Sequence, residues 1–194
     1  MNSIRVALLF VTGGKYITAL VGLATIAIVS RLITPHEYGI AVLGMSTLAV
    51  AGAVRELGSA AYVVQVPDLT EHKLQGVFTI NLMVTLVLAV VIFAGAPWLG
   101  ALFGEPGLAD FLQISLIGFV TGSVVFPLHG LLARELAFNR LAAINVATTL
   151  INSLVLIVLA MNGFSFLSFA LANVVSGILG GLALLWVRPV FGMF

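Results

Sequence analysis

Read from the N-terminus, the chain alternates long apolar runs with short polar breaks. The apolar runs cover residues 11–33, 40–66, 74–96, 108–131, 141–161 and 166–187. A helix of about 20 residues rising about 1.5 Å each spans the ~30 Å hydrocarbon core of a bilayer, so each run predicts one membrane-crossing helix. The breaks carry turn chemistry. In Arg31-Leu-Ile-Thr-Pro-His-Glu-Tyr-Gly39, Thr34 suits an N-cap, Pro35 the first helical position and Glu37 the first turn. Pro97-Trp98 is expected to stop the third helix, Gly104-Glu105-Pro106-Gly107 to turn the chain, and Asn162-Gly163 to turn it again. Asp110 suits the first turn of the fourth helix, and Pro127 is expected to kink its far end. Residues 131–140 alternate Arg134, Glu135 and Arg140 with Leu136 and Phe138, which predicts an amphipathic elbow lying in the interface.

Polar positions inside the runs carry the candidate chemistry. Residues 40–66 hold Arg55 and Glu56, each costing roughly 3 kcal/mol at mid-bilayer, against roughly 0.3–0.6 returned by each Leu, Ile, Val or Phe. With about ten such apolar residues returning roughly 3–6 kcal/mol, that helix is marginal alone in lipid. It needs neighbours or a wet cavity, so the other helices are expected to form walls around it. Ser59 and Tyr62 stand at i+4 and i+7 from Arg55 and make its face polar. Ionisable groups at membrane depth mark substrate or ion paths, whereas a shallow Arg55 would snorkel to headgroups. Glu56 points about 100° away from Arg55 and is expected to bridge to Lys15, as a structural pair or a coupling site.

Lys15, Thr18, Gly22 and Thr25 draw a polar or small stripe along the first helix. Lys15 also fits a simple interfacial anchor. Asn145, Thr149 and Asn152 form a stripe on the fifth helix, with Thr148 and Ser153 beside them; such residues glue helices together or line a path. Gly118-x-x-x-Gly122 and Gly177-x-x-x-Gly181 allow close helix packing.

Composition agrees with the pattern. Of 194 residues, 61% are hydrophobic and 8% charged, where a soluble domain carries about 25% charged residues. A net charge of +1 argues against a nucleic-acid surface, and the absence of cysteine excludes disulfides and thiolate chemistry. The three histidines are scattered over different loops and ends, no Walker loop, H-E-x-x-H, D-x-D or G-x-S-x-G motif occurs, and neither an enzyme nor a metal or cofactor site is expected. The start of the chain lacks a small-x-small cleavage site and reads as part of an uncleaved first span. With the N-terminus inside, Arg5, Lys73, Arg134, Arg140 and Arg188 collect on the inner side and only Arg31 on the outer, which predicts both termini in the cytoplasm. The expectation is one all-α polytopic domain, residues 1–194, a bundle of six transmembrane helices with no internal repeat.

Three segments, Arg31 to Gly39, Glu56-Leu-Gly-Ser-Ala-Ala61 with Gln65, and Arg134-Glu-Leu-Ala-Phe138, resemble the bacterial polysaccharide-biosynthesis, or oligosaccharide flippase, family. That family belongs to the multidrug, oligosaccharidyl-lipid and polysaccharide exporter superfamily. The resemblance runs over essentially the whole chain. It implies a transporter of two six-helix lobes in the inner membrane, moving polyprenyl-pyrophosphate-linked oligosaccharides outward by alternating access. This chain would be the N-terminal lobe, completed by a second lobe or a second copy. A pyrophosphate crossing a low-dielectric interior needs cations, for which Arg55 and Lys15 are the candidates. Glu56 is a candidate coupling or structural ion-pair residue, and Thr18, Thr25, Ser59, Tyr62, Asn145, Thr149 and Asn152 are candidates to line the cavity. Two alternatives stay open: a drug or cation antiporter, for which only Glu56 offers an intramembrane acid, and a membrane-embedded glycosyltransferase or polymerase.

Overall fold

The computed structural model describes residues 2–56, 71–134 and 138–187, with side chains described over 11–55, 75–123 and 140–186. Helices are α1 (Asn2–Val29), α2 (Pro35–Glu56), α3 (Glu71–Phe103), α4 (Gly107–Arg134), α5 (Phe138–Met161) and α6 (Leu167–Val187), and no strand occurs among the described residues. Five are individually long and apolar enough to cross a membrane, and α4 is apolar over Gly107–Ser123. The protein is an all-α, multi-pass membrane protein.

Local chemistry explains where the helices begin and end. Thr34 and Glu37 form a reciprocal capping box: the Glu37 carboxylate accepts from the Thr34 N–H at 2.9 Å, and the Glu37 N–H donates to Thr34 Oγ1 at 3.3 Å. The other oxygen of Glu37 accepts from the Ser165 hydroxyl, tying this cap to the α5–α6 turn. α2 therefore starts at Pro35, five residues before its apolar run, while residues 57–66 lie outside the described residues.

Pro97 does not stop α3, contrary to expectation. The helix runs through it to Phe103, because its terminator is Gly104. At φ 71°, Gly104 donates to the Ala101 carbonyl, and Glu105 donates to that of Gly100 at 2.8 Å, a Schellman closure that satisfies the last carbonyls. α5 ends the same way, with Gly163 at φ 81° and the Phe164 N–H on the Leu159 carbonyl. Of the segment expected to form an interfacial elbow, residues 135–137 lie outside the described residues. α4 continues to Arg134 and α5 begins at Phe138, so the rest of the segment is helical.

The packing order differs from a ring of walls around α2. Extended interfaces join α3 to α4, α4 to α6, α6 to α5 and α5 to α1, with α2 resting mainly on α4. α4 and α6 are the hub. One core joins α2, α3 and α4 through residues such as Ile40, Ala96, Leu108 and Leu112. A second joins α1, α5 and α6 through Val29, Ile33, Leu156, Ala160 and Ala172. Phe111, fully buried, links α2, α4 and α6 beside Ala41 and Ala170. The large exposed side chains on the flanks, such as Leu20, Leu23 and Ile26 of α1 and Val87, Val90 and Val91 of α3, are apolar, as a lipid-facing surface requires.

Since lipid is as apolar as leucine, helix association rests on close packing rather than on hydrophobicity. Gly44 is such a contact, for an added Cβ would fall on the Phe111 ring, whereas Gly52 on the same helix has nothing within 4 Å. Gly44→Ala should therefore destabilise the protein by about 1–3 kcal/mol through overpacking. Gly52→Ala should be neutral or stabilising by up to about 1 kcal/mol through helix propensity. Thermal unfolding in detergent compares them, and equal effects would contradict the assigned α2–α4 packing.

Candidate functional site

The stripe on α5 becomes the floor of a furrow. Asn145, Thr149 and Asn152 lie on the face of α5 between its two neighbours, α1 on one side and α6 on the other. The α5–α6 part encloses about 340 Å³, with Asn145, Thr148, Thr149, Asn152 and Ser176 among its lining. The α1–α5 part encloses about 230 Å³ and adds Lys15, Thr18 and Gly14. Asn145 lines both parts and stands between them. At the Met161 end of α5 the groove is closed by the buried cluster of Val29, Ile33, Leu156, Ala160 and Ala172. Its opening lies toward the Leu141 end, where Lys15 stands exposed.

The hydroxyls along the furrow direct their protons into their own helices. Thr18 donates to the Lys15 carbonyl at 2.9 Å, Thr149 to that of Asn145 at 2.8 Å and Ser176 to that of Ala172 at 2.7 Å. This back-bonding satisfies each donor in lipid and leaves oxygen lone pairs facing the groove. The Asn152 amide donates to Asn173 Oδ1 and to Ser176 Oγ, both at 3.0 Å, and so joins α5 to α6. Gly177 of α6 has nothing within 4 Å of an added Cβ, so it opens the furrow rather than packing a helix; Gly118 does pack, 3.5 Å from the Val174 backbone.

Of the residues singled out in the sequence, the structure gathers Lys15, Thr18, Asn145, Thr149 and Asn152 into this furrow. Thr25 is buried toward its closed end, with its hydroxyl on the Val21 carbonyl at 2.7 Å. Asn173 and Ser176 were missed, and Gly177 was expected to pack a helix. Polar residues at i and i+3 within the apolar run of α6 were the available signal.

Arg55 stands elsewhere. It occupies the last described turn of α2, donates from Nη1 to the Phe119 carbonyl at 3.3 Å, and places its guanidinium 5.0 Å from the Phe119 ring centroid. Gly122 faces it, and an added Cβ there would meet Nη1 at 3.5 Å, an ordinary contact. Arg55 thus grips α4 and does not line the furrow. The Glu56 side chain, Ser59 and Tyr62 lie outside the described residues, and α1 and α2 share no extended interface among the described ones.

One turn beyond Phe119, the Ser123 carbonyl accepts from the Asn81 amide of α3 at 2.6 Å. The residue four positions on is Pro127, which has no N–H to give that carbonyl. Asn81, nearly fully buried, replaces the lost helical bond with a side chain from the next helix.

A family model described as "Polysaccharide biosynthesis protein" matches residues 28–191. The chain belongs to the polysaccharide biosynthesis protein family. The α5 and α6 residues of the furrow fall inside the matched region, and Lys15 and Thr18 precede it. Lipopolysaccharide biosynthesis protein WzxC of Escherichia coli K12 is 22% identical over 66% of this chain and 26% of its own length. Succinoglycan biosynthesis transport protein ExoT of Rhizobium meliloti is 27% identical over 72% of this chain and 28% of its own. Teichuronic acid biosynthesis protein TuaB of Bacillus subtilis is 24% identical over 53% of this chain and 21% of its own. The chain therefore spans about a quarter of the length of these relatives. No solved structure matches.

The α3–α4 contact in this family member yields a coupling test. Asn81→Leu should cost about 1–3 kcal/mol, the penalty of an orphaned buried carbonyl. In a Pro127→Ala background, where residue 127 can again donate, most of that cost should disappear. A double-mutant cycle on thermal unfolding measures the difference, and an additive result would rule out the proline-replacement role of Asn81.

Proposed function

We propose that this chain is the N-terminal six-helix lobe of a flippase that moves lipid-linked polysaccharide precursors across the bacterial inner membrane. The furrow is where the polar headgroup enters. The observation that carries this reading is a groove at membrane depth into which amides and hydroxyls project, closed at one end and holding, among the described residues, one cation, Lys15, near its mouth. Arg5, Lys73, Arg134 and Arg140 belong to helix ends on the same side of the bundle as that mouth, so the positive-inside rule turns it toward the cytoplasm, with the N-terminus on the same side. A precursor made in the cytoplasm would meet it there.

The chemistry suits an anion. A diphosphate in a low-dielectric groove needs a positive partner, and the Lys15 ammonium supplies a mobile three-donor charge. Among the described residues no acidic side chain lines either part of the furrow, which favours this reading over a drug or cation antiporter. Nor does the furrow set a base against a nucleophile, as a glycosyltransferase would require. The remaining length of a full transporter, or a second copy, would cover the open side, and one lobe alone is not expected to transport.

Arg55 has a separate task in this scheme. It holds α2 to α4, so that α2 moves with the hub. In the full-length transporter, Lys15→Gln should lower polymer export about tenfold at unchanged membrane abundance, the equivalent of one charge-assisted hydrogen bond of about 1.5 kcal/mol. Lys15→Arg should keep most of the activity. Arg55→Ala should instead reduce abundance and thermal stability, with export falling in proportion. Export and abundance measured in the same cells separate the two. Wild-type export by Lys15→Gln, or lost export by Arg55→Ala at full abundance, would reverse these assignments.

A further inference from the structure

The Glu37 carboxylate does more than cap a helix. One oxygen accepts from the N–H and the hydroxyl of Thr34, at 2.9 and 2.7 Å, and the other accepts from the hydroxyl of Ser165 in the α5–α6 turn. We propose that Glu37 and Ser165 are positioning residues that keep the closed end of the furrow sealed while its mouth faces the cytoplasm. The inference rests on that reading of the furrow's orientation, and adds what holds the far end shut.

The residue at 165 singles out this bond. Among the described residues, three have a left-handed backbone: Gly104 at φ 71°, Gly163 at φ 81° and Ser165 at φ 51°. Glycine takes that conformation without steric cost, whereas serine is strained in it. Such strain persists only where the surroundings enforce it, and here the hydroxyl is held by a carboxylate 128 positions away in sequence. A glycine at this position would relax the backbone and lose the bond.

The bond also lies where a seal needs it. The furrow, lined by amides and hydroxyls, ends at Val29 of α1, Ile33 just after it, Leu156 and Ala160 of α5, and Ala172 of α6. Ile33 adjoins Thr34, and Ala160 lies shortly before Ser165. Glu37 therefore ties together the two chain segments whose apolar side chains meet in this plug. The α5–α6 turn is itself firmly seated, since Phe166 packs onto Gly107 of α4, where an added Cβ would fall 2.6 Å from its ring. Just below, the Tyr38 ring meets that of Phe169 edge-on, with 5.6 Å between centroids. His36 adds a 3.4 Å contact to Glu105, so neighbouring residues of α2 reach both of the other turns at this end. In lipid the apolar residues of the plug gain nothing hydrophobic by meeting one another. How often they part is then set by the ties above them.

The test measures entry from the outside. In the full-length transporter, made free of other cysteines, Ala160→Cys reports on the plug, and Asn162→Cys, on the exposed turn, reports which side this end faces. Intact cells are treated with a membrane-impermeant maleimide. Asn162→Cys should label readily and Ala160→Cys slowly. Glu37→Ala and Ser165→Gly should each raise labelling at position 160 about tenfold, the effect of one charge-assisted hydrogen bond on an opening equilibrium. Ser165→Asn should stay near the wild-type rate, because asparagine tolerates a left-handed backbone and its amide can donate to the carboxylate. Ser165→Gly relieves strain as it removes the bond, so its melting temperature should stay near wild type. A merely structural role would move labelling and melting together.

Wild-type labelling at position 160 in both Glu37→Ala and Ser165→Gly would overturn the seal. So would labelling that rises only in step with a falling melting temperature, or a Ser165→Asn variant as leaky as Ser165→Gly. If Asn162→Cys is reached only from the cytoplasm, it is the orientation in the proposed function that fails. Inverted vesicles then present this end to the reagent, and the same comparison of variants decides the seal.

Discussion

In the hydrocarbon of a bilayer there is no water to complete a hydrogen bond, so each polar group on these helices must find its partner within the protein. The rest of the structure follows from that demand. Ser123 loses its helical donor at Pro127 and takes the Asn81 amide from α3 instead, which fixes α3 to α4 at that level. Thr25, Thr85, Thr149 and Ser176 turn their protons back onto carbonyls of their own helices. At the α1–α2 turn the capping box of Thr34 and Glu37 extends to Ser165, so one carboxylate joins two loops. The bundle is held by such local closures and by glycine contacts, of which those at Gly44, Gly107, Gly118 and Gly122 involve α4.

Elements that depend on near neighbours in sequence were legible before the structure. The six apolar runs, the cap at Thr34-Pro35 and the turns at Gly104 and Gly163 follow from propensity and turn chemistry. So does the polar stripe of Asn145, Thr149 and Asn152, because i, i+4, i+7 spacing sets a face whatever the helix packs against. Pro97 was misjudged for a local reason. A proline removes one bond, whereas the end of a helix is decided by where the last carbonyls are satisfied, here at Gly104.

What the sequence concealed is which helix meets which. Apolar periodicity carries little pairing information in lipid, since every face is apolar and association is a matter of fit. The contact of Gly44 with the Phe111 ring and the seat of Arg55 over Gly122 are such fits, and neither shows a periodic pattern. For that reason the seat of Arg55, the most conspicuous residue in the sequence and a candidate for either a cavity or a snorkelling position, on α4 was not legible in advance. Lys15, which also passes for an interfacial anchor, stands at the mouth of the furrow. Arg55 thus joins α2 to α4, while the furrow is built from α1, α5 and α6.

The central claim is that the face of α5 between α1 and α6 meets the polar headgroup of a lipid-linked precursor. The most direct measurement places a photo-crosslinking residue at position 149 of the full-length transporter, in cells making the polymer, with a second at position 90 on the exposed face of α3 as the control. Mass spectrometry of the adducts should find the lipid-linked glycan at position 149 and only bulk phospholipid at position 90. Phospholipid alone at both positions would contradict the account and make the furrow an ordinary part of the lipid-facing surface.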